Sequence, residues 1–270
     1  MNIGIISLGL IGGSLYKILV KKGYKVTAVT RNPDSIKKAR QYGAFVSDDM
    51  TSLKDCDIVF VCAPMNKTPE ILDKLESIVS AKTIVADTCS LKEFVMQKKR
   101  PYVFIGSHPM AGTEHSGFDY SFESLFDGAV WVITPFDDTE QRHIEALSSV
   151  IEQTGAKVLI SDAASHDCAA ALISHMPMLL AQALVKSVKD DSLAKKMAAS
   201  GFRDMTRLAL SNTEMACDMI SMNSKNISDA LINVIESARS LLSDDYKTQV
   251  TEIKKIRKTM YDDSGRKNSN

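Results

Sequence analysis

The sequence predicts an α/β fold in which a doubly wound parallel sheet is followed by an all-α C-terminal part. Three observations predict it. Through residue 160, short β-branched runs alternate with amphipathic segments, the pattern of strands covered on both faces by crossover helices. After Asp162 the alternation stops, and alanine, methionine, leucine and serine dominate. A glycine-bearing turn, SLGLIGG, joins the first strand to the first helix, where such sheets hold phosphates.

Strands are expected, in order, at 3–7 (IGIIS), 25–30 (KVTAVT), 58–62 (IVFVC), 83–87 (TIVAD), 103–106 (VFIG), 129–134 (AVWVIT) and 157–160 (KVLI). Each is a short apolar run bounded by turn residues. Helices are expected between them at 13–22, 32–42, 69–79 and 139–154. Asn32 suits an N-cap with Pro33 at the first helical position, and Gly43 suits a C-terminal stop. The second part opens with a helical pattern over 166–188, continuous or split at Pro177, whose ring and missing N–H disturb a helix. Apolar residues three and four apart make 226–242 and 246–260 amphipathic helices that need a surface to cover, a partner subunit being one candidate. The expected units are a dinucleotide-binding domain over 1–161 and a helical substrate-binding and dimerisation domain over 162–270, with a frayed tail from residue 262.

Composition narrows the function. Lys+Arg and Asp+Glu both number 33, so no electrostatic footprint for nucleic acid or an acidic membrane is expected. A small-molecule substrate is favoured. Five cysteines lie without CxxC spacing, which argues against a metal site or disulfide framework and for a reducing, cytoplasmic compartment. The N-terminal apolar run lacks the basic segment of a signal peptide. No stretch is read as approaching the ~20 apolar residues of a membrane span.

The turn after the first strand reads S-x-G-x-x-G over 7–12. Gly9 lets backbone approach a pyrophosphate, Gly12 lets helix pack on strand, and the amides around Leu10 and Ile11 open the helix toward the anion. Ser7 replaces the usual first glycine. This is a dinucleotide signature of Rossmann type. At the end of the second strand Thr30 stands where NAD sites carry a carboxylate, and Arg31 follows. A guanidinium fork beside a hydroxyl suits a 2′-phosphate, so NADP is the expected cofactor and NAD the alternative.

Four further stretches carry candidate chemistry: ADTCSLK (86–92), GSHPMAGTEHSGF (106–118), SHDCAAALISHMP (165–177) and GFRDMTRLALS (201–211). Read alone, Ser90 and Glu93 fit a capping box, and His108 fits a loop histidine. His115 reads as a rim residue, and His166, beside Asp167, as a helix cap or anchor. His175 is equally a buried hydrogen-bonded residue or a site-lining one. Arg203 can pair with Asp204 or Asp218.

Together with the glycine turn, these motifs resemble the prephenate and arogenate dehydrogenases of tyrosine biosynthesis, in order from about residue 3 to residue 211. The resemblance implies NAD(P)-dependent oxidative decarboxylation of prephenate to 4-hydroxyphenylpyruvate. Arogenate, giving tyrosine directly, is the alternative, as is a dual cyclohexadienyl activity. By motif position His108 is implied to handle the C4 hydroxyl proton, Ser90 to orient His108 and touch the nicotinamide, and Arg207 to clamp a substrate carboxylate. His175, Thr113 and Gly201 are implied in the substrate pocket, and Ala63 and Pro64 beside the nucleotide. A homodimer through the C-terminal helices is implied as well. Two positions depart from the pattern: Met178 stands where many prephenate-type members have a second histidine, and Ala216 where some have an aromatic residue. Rival readings are a hydroxyacid or imine reductase on the same plan and a non-catalytic NADP-binding sensor.

Overall fold

The computed structural model describes residues 1–113, 115–243 and 245–262. The expected frayed tail lies, apart from Asp262, outside these residues. One eight-stranded sheet, in the order β3-β2-β1-β4-β5-β6-β7-β8, dominates the first 160 residues. It starts with β1 (Asn2–Ile6), α1 (Leu10–Lys21), β2 (Lys25–Val29), α2 (Pro33–Ala39) and β3 (Phe45–Ser47). It continues through β4 (Ile58–Val61), α3 (Thr68–Leu75), β5 (Ile84–Asp87), β6 (Val103–Pro109), β7 (Val130–Thr134), α4 (Gln141–Glu152) and β8 (Lys157–Ile160). Its centre is dry. Ile3, Ile5, Leu15, Leu19, Phe60 and Trp131 are fully buried, each contributing roughly 1.5–3 kcal/mol.

Three differences from expectation have local causes. Strand β3 was not expected: it has three residues, of which only Val46 is buried, and Phe45 is 60% exposed on the sheet edge. The sheet is not wholly parallel, because β6 pairs antiparallel with β7, Gly106 facing Thr134 and His108 facing Val132. Among the described residues, the connection between those strands contains a single short 3₁₀ turn, Phe118–Tyr120, and a parallel crossover normally needs a covering helix. The third concerns the segment after Ser90, which forms turns rather than a helix.

Helices follow from Ala163. One rod comprises α5 (Ala163–Ala170), a π-helical turn (Ala171–His175) and α6 (Met176–Ser187). Pro177 therefore does not split the helix; the π turn immediately before it absorbs the disturbance, and Pro177 sits in the first turn of α6. By length and composition Ala163–Ser187 is apolar enough to cross a membrane, which corrects the expectation that no segment is. Interspersed Ser, His and Asp residues hid the run from a count of contiguous apolar residues. The chain goes on through α7 (Ser192–Met197), α8 (Ser200–Met205), a 3₁₀ turn (Arg207–Leu210), α9 (Thr213–Met222), α10 (Ser224–Ser240) and α11 (Tyr246–Asp262).

The π turn matters for what the rod displays. His166 and His175 are nine residues apart, which at ~100° per residue puts them on opposite faces of an ordinary helix. The extra residue held in a π turn brings them to roughly 80° of one another.

Candidate active site

The glycine turn meets the geometry a dinucleotide needs. Ser7 has φ +73°, the left-handed conformation usually left to glycine. A Cβ on Gly12 would lie 2.0 Å from the Ser7 carbonyl oxygen, so helix and strand touch there, whereas a Cβ on Gly9 would meet nothing within 4 Å. Gly9 also begins α1 with no side-chain cap, leaving the amides at Leu10 and Ile11 for an anion. An open cleft of about 340 Å³ lies beside this turn, lined in part by Gly9, Thr30, Asn32, Asp34, Lys38 and Asp119. Arg31 is exposed at the end of β2 but is not in that lining; the Glu70 carboxyl is held below the usual range chiefly by its bond to Lys74, with Arg31 a minor contributor. The cation in the cleft is Lys38, 2.6 Å from Asp119. Ala63 and Pro64 follow β4 at the same carboxyl edge, where the Thr68 hydroxyl donates to both carbonyls.

Deeper in the sheet, a buried polar network ties the ends of β5 and β6 together. Lys92, wholly buried, places its ammonium on the Asp87 carboxylate and on the Ser107 carbonyl, the latter at 2.6 Å. Asp87 also accepts from the amides of Cys89 (2.8 Å) and Ser107 (3.0 Å). Trp131 Nε1 donates to Ser107 Oγ at 3.1 Å. Strand alternation turns Ser107 inward and His108 to the opposite face.

Across from this network stands the rod. Asp167, 3% exposed, accepts from the amides of Lys92 (2.8 Å) and Glu93 (3.0 Å). It thus caps the segment that follows Ser90, and the capping box read for Ser90 and Glu93 does not form. Its Oδ1 also lies 2.7 Å from His166 Nδ1, and His166 Nε2 lies 2.9 Å from His108 Nδ1. The proton positions follow from the acceptor at the end of this row. A carboxylate only accepts, so His166 carries a hydrogen on Nδ1, and in its neutral form it accepts at Nε2. His108 therefore donates from Nδ1, and its Nε2 lone pair is left free to take a proton. Burial, then the neighbouring His166, Lys92 and His175, push the His108 pKa well below 6.5. The ring is neutral at neutral pH.

Two expectations are corrected here. The residue that orients His108 is His166: no hydrogen bond joins Ser90 and His108 among the described residues. Nor is His166 the helix cap, since Asp162 caps α5 through Ser165 N at 2.8 Å. His175 is fully buried and bonded to Asn223 at 3.1 Å. Arg207 is exposed at the start of its 3₁₀ turn and has no ion pair among the described residues. Thr113 is exposed and accepts from His115 N at 3.2 Å, Gly201 is exposed in α8, and neither is brought against His108 by any contact. Glu114, part of the same motif, lies outside the described residues. His115 stacks on Tyr120 with ring centres 4.5 Å apart, and Arg203 meets Asp204 at 3.6 Å on the surface. Met178 and Ala216 pack with Met65, Cys89, Leu91 and Met219 in one apolar cluster. Asp87, Lys92, Asp167 and Asn223 had no assigned role in the sequence reading. The signal for the first three was available, in charged residues placed within otherwise apolar motif segments.

Two family descriptions match the chain: "Prephenate dehydrogenase, nucleotide-binding domain" over residues 16–160 and "Prephenate dehydrogenase, dimerization domain" over 162–259. The chain is 30% identical over 239 residues to a prephenate dehydrogenase of Bacillus subtilis, a match covering 82% of this chain and 64% of that protein. It is similar in structure to an arogenate dehydrogenase of Synechocystis, with TM-score 0.80, 31% identity, and 97% and 98% of the two chains covered. A prephenate dehydrogenase from A. aeolicus, solved with hydroxyphenyl propionate and NAD+, superimposes with TM-score 0.81 at 29% identity, covering 96% of each chain.

Proposed function

The chain belongs to the prephenate dehydrogenase family, and on that premise we propose that it oxidises and decarboxylates prephenate to 4-hydroxyphenylpyruvate in tyrosine biosynthesis. The observation that carries this reading is the free Nε2 lone pair of a neutral His108 at the carboxyl edge of the sheet, fixed by His166 and Asp167. The reaction removes hydride from ring C4, the proton from the C4 hydroxyl, and carbon dioxide from C1, leaving an aromatic ring. Bound at the glycine turn, the nicotinamide cofactor supplies the hydride acceptor. His108 takes the hydroxyl proton at Nε2 while keeping its Nδ1–H on His166, so the imidazolium formed faces a row ending in the Asp167 carboxylate. Arg207, having no carboxylate partner of its own among the described residues, holds a substrate carboxylate. Ser90, on the capped segment after β5, lies in the role of nicotinamide contact, with Thr113 and Gly201 lining the substrate.

The nucleotide-binding domain takes NAD(P). We assign NADP, supported by Thr30 at the end of β2 and by Lys38 in the cleft lining, with Arg31 exposed just beyond β2. The C-terminal half matches a dimerisation domain. Exposed Leu172, Ile173, Val185 and Ile235 support an interface made by the rod and α10. Five free cysteines among the described residues support a reducing cytoplasm.

Arogenate is the second reading. Met178, 3% exposed in an apolar cluster, gives no polar contact where a second histidine would serve prephenate. The test is reduced-nicotinamide absorbance with each substrate and each cofactor. Faster reduction of NADP than NAD, with prephenate or arogenate, is expected; no reduction in any combination would overturn the reading and leave the sensor alternative.

A further inference from the structure

Asn223 stands at the junction of α9 and α10, 5% exposed, with its amide fixed from two sides. Its Nδ2 donates to the Asp167 carbonyl at 3.0 Å, and Asn226 Nδ2 donates to its Oδ1 at 2.8 Å. Turning the amide over would set an oxygen against a carbonyl and a nitrogen against a nitrogen, so one orientation stands. The remaining Nδ2 hydrogen then faces His175 Nδ1 at 3.1 Å, which must accept it. A neutral imidazole that accepts at Nδ1 carries its hydrogen on Nε2. That Nε2 is buried and has no acceptor among the described residues, a costly condition for a donor that nothing meets. The ring shares the rod with His166 and is close enough to His108 to bias its charge.

We infer that His175 is a donor-only subsite, its Nε2–H held by Asn223 for a carboxylate oxygen of the substrate. This rests on the proposed function. Asp167 then sets both polarities of the site: its side chain leaves His108 as an acceptor, and its backbone carbonyl, through Asn223, makes His175 a donor. The titratable groups facing His175 are Asp167 and His166 on its own rod and His108 on β6. Burial outweighs the pull of Asp167 and keeps the ring neutral, so the donor does not switch off or acquire charge near neutral pH.

The experiment has a spectroscopic and a kinetic arm, both on the full chain. In ¹⁵N-histidine-labelled protein, long-range ¹H–¹⁵N spectra, assigned with His175→Phe, are expected to give the Nε2–H tautomer with no titration between pH 5.5 and 8. Adding prephenate should move the Nε2 resonance. In turnover, His175→Phe should raise KM by about 10- to 100-fold, the range for a hydrogen bond to a charged group, and lower kcat by a smaller factor. His175→Gln, which restores an N–H at a similar reach, should recover part of that affinity. Asn223→Asp should turn Nδ1 into a donor and Nε2 into an acceptor, raising KM at pH 8 and restoring it on acidification, when the ring carries both protons. A packing defect would show no such acid rescue. An Nδ1–H tautomer, titration near pH 6.5, or an unchanged KM in His175→Phe would each overturn the inference. If the wild type reduces neither cofactor, the proposed function fails, while the tautomer and its response to prephenate are still decided by the spectra.

Discussion

The burial of His175 predicts a specific weakening of the fold in acid. Its pKa is pushed from 6.5 down to about 4, chiefly by burial. As pH falls below 6.5 the unfolded chain takes up a proton there that the folded chain refuses, so stability present above 6.5 is lost progressively and the loss is complete only below 4. At 1.36 kcal/mol per pH unit, that gap amounts to about 3 kcal/mol, a large share of the 5–15 kcal/mol typical of a domain. His108 is shifted in the same direction, so its contribution must be removed by comparison. Urea unfolding of the wild type and of His175→Phe at pH 7.5, 6.5, 5.5 and 4.5, at one protein concentration, isolates the term. Any packing change or orphaned Asn223 amide displaces the variant's curve by a constant. Only the lost titration changes its slope. The variant should therefore lose about 2.5 kcal/mol less than the wild type between pH 7.5 and 4.5, most of the full gap; parallel curves would refute the reasoning.

The lowered pKa of His108 predicts that kcat/KM stays level from pH 8 to below 6, with its acid limb beneath the ordinary histidine range; a limb centred at 6.5 or above would contradict it. His108→Asn should reduce turnover by roughly two to four decades with nicotinamide-cofactor affinity kept, as calorimetric titration would register. Asp167→Asn should cost about 2–3 kcal/mol in unfolding free energy and at least a decade in kcat, since it disturbs both the amide cap and the tautomer of His166. Gly12→Ala, forcing a Cβ within 2.0 Å of a backbone oxygen, should abolish dinucleotide binding or folding. Ser7→Gly should stabilise by about 1 kcal/mol, measured as a rise in unfolding midpoint, because it releases a left-handed φ from its Cβ.

Most of the sheet was legible because its strands are apolar on both faces and punctuated by turn residues. Strand β3 was not, since one buried residue, Val46, gives no period to read. The short helices at Ser192–Met197 and Ser200–Met205 bury no residue fully, so no apolar stripe announced them. His108 could be picked from its motif, but its partner could not. His166 and His175 sit on opposite faces under ordinary helical spacing, and only the π turn gathers them, a distortion for which a sequence period has no signature. Asp167 was hidden for a different reason. Beside a histidine at a helix start it looks like a local cap, whereas its contacts reach 75 residues back to Lys92 N.

The antiparallel seam between β6 and β7 acts as a ruler for later change in this molecule. Because Gly106 to Pro109 are indexed against Trp131 to Thr134, the height and facing of His108 are set by ladder register and not by the length of the chain that joins the strands. Residues can be added to or removed from the 110–129 connection, leaving the His108 imidazole where it is and reshaping only the ground around it. One residue gained inside 103–109 would exchange Ser107 with His108, sending the imidazole into the Trp131 layer and a hydroxyl out to the ligand. Diversification of the bound ring is thus open through the loop, while the chemistry is closed to insertion through the strand.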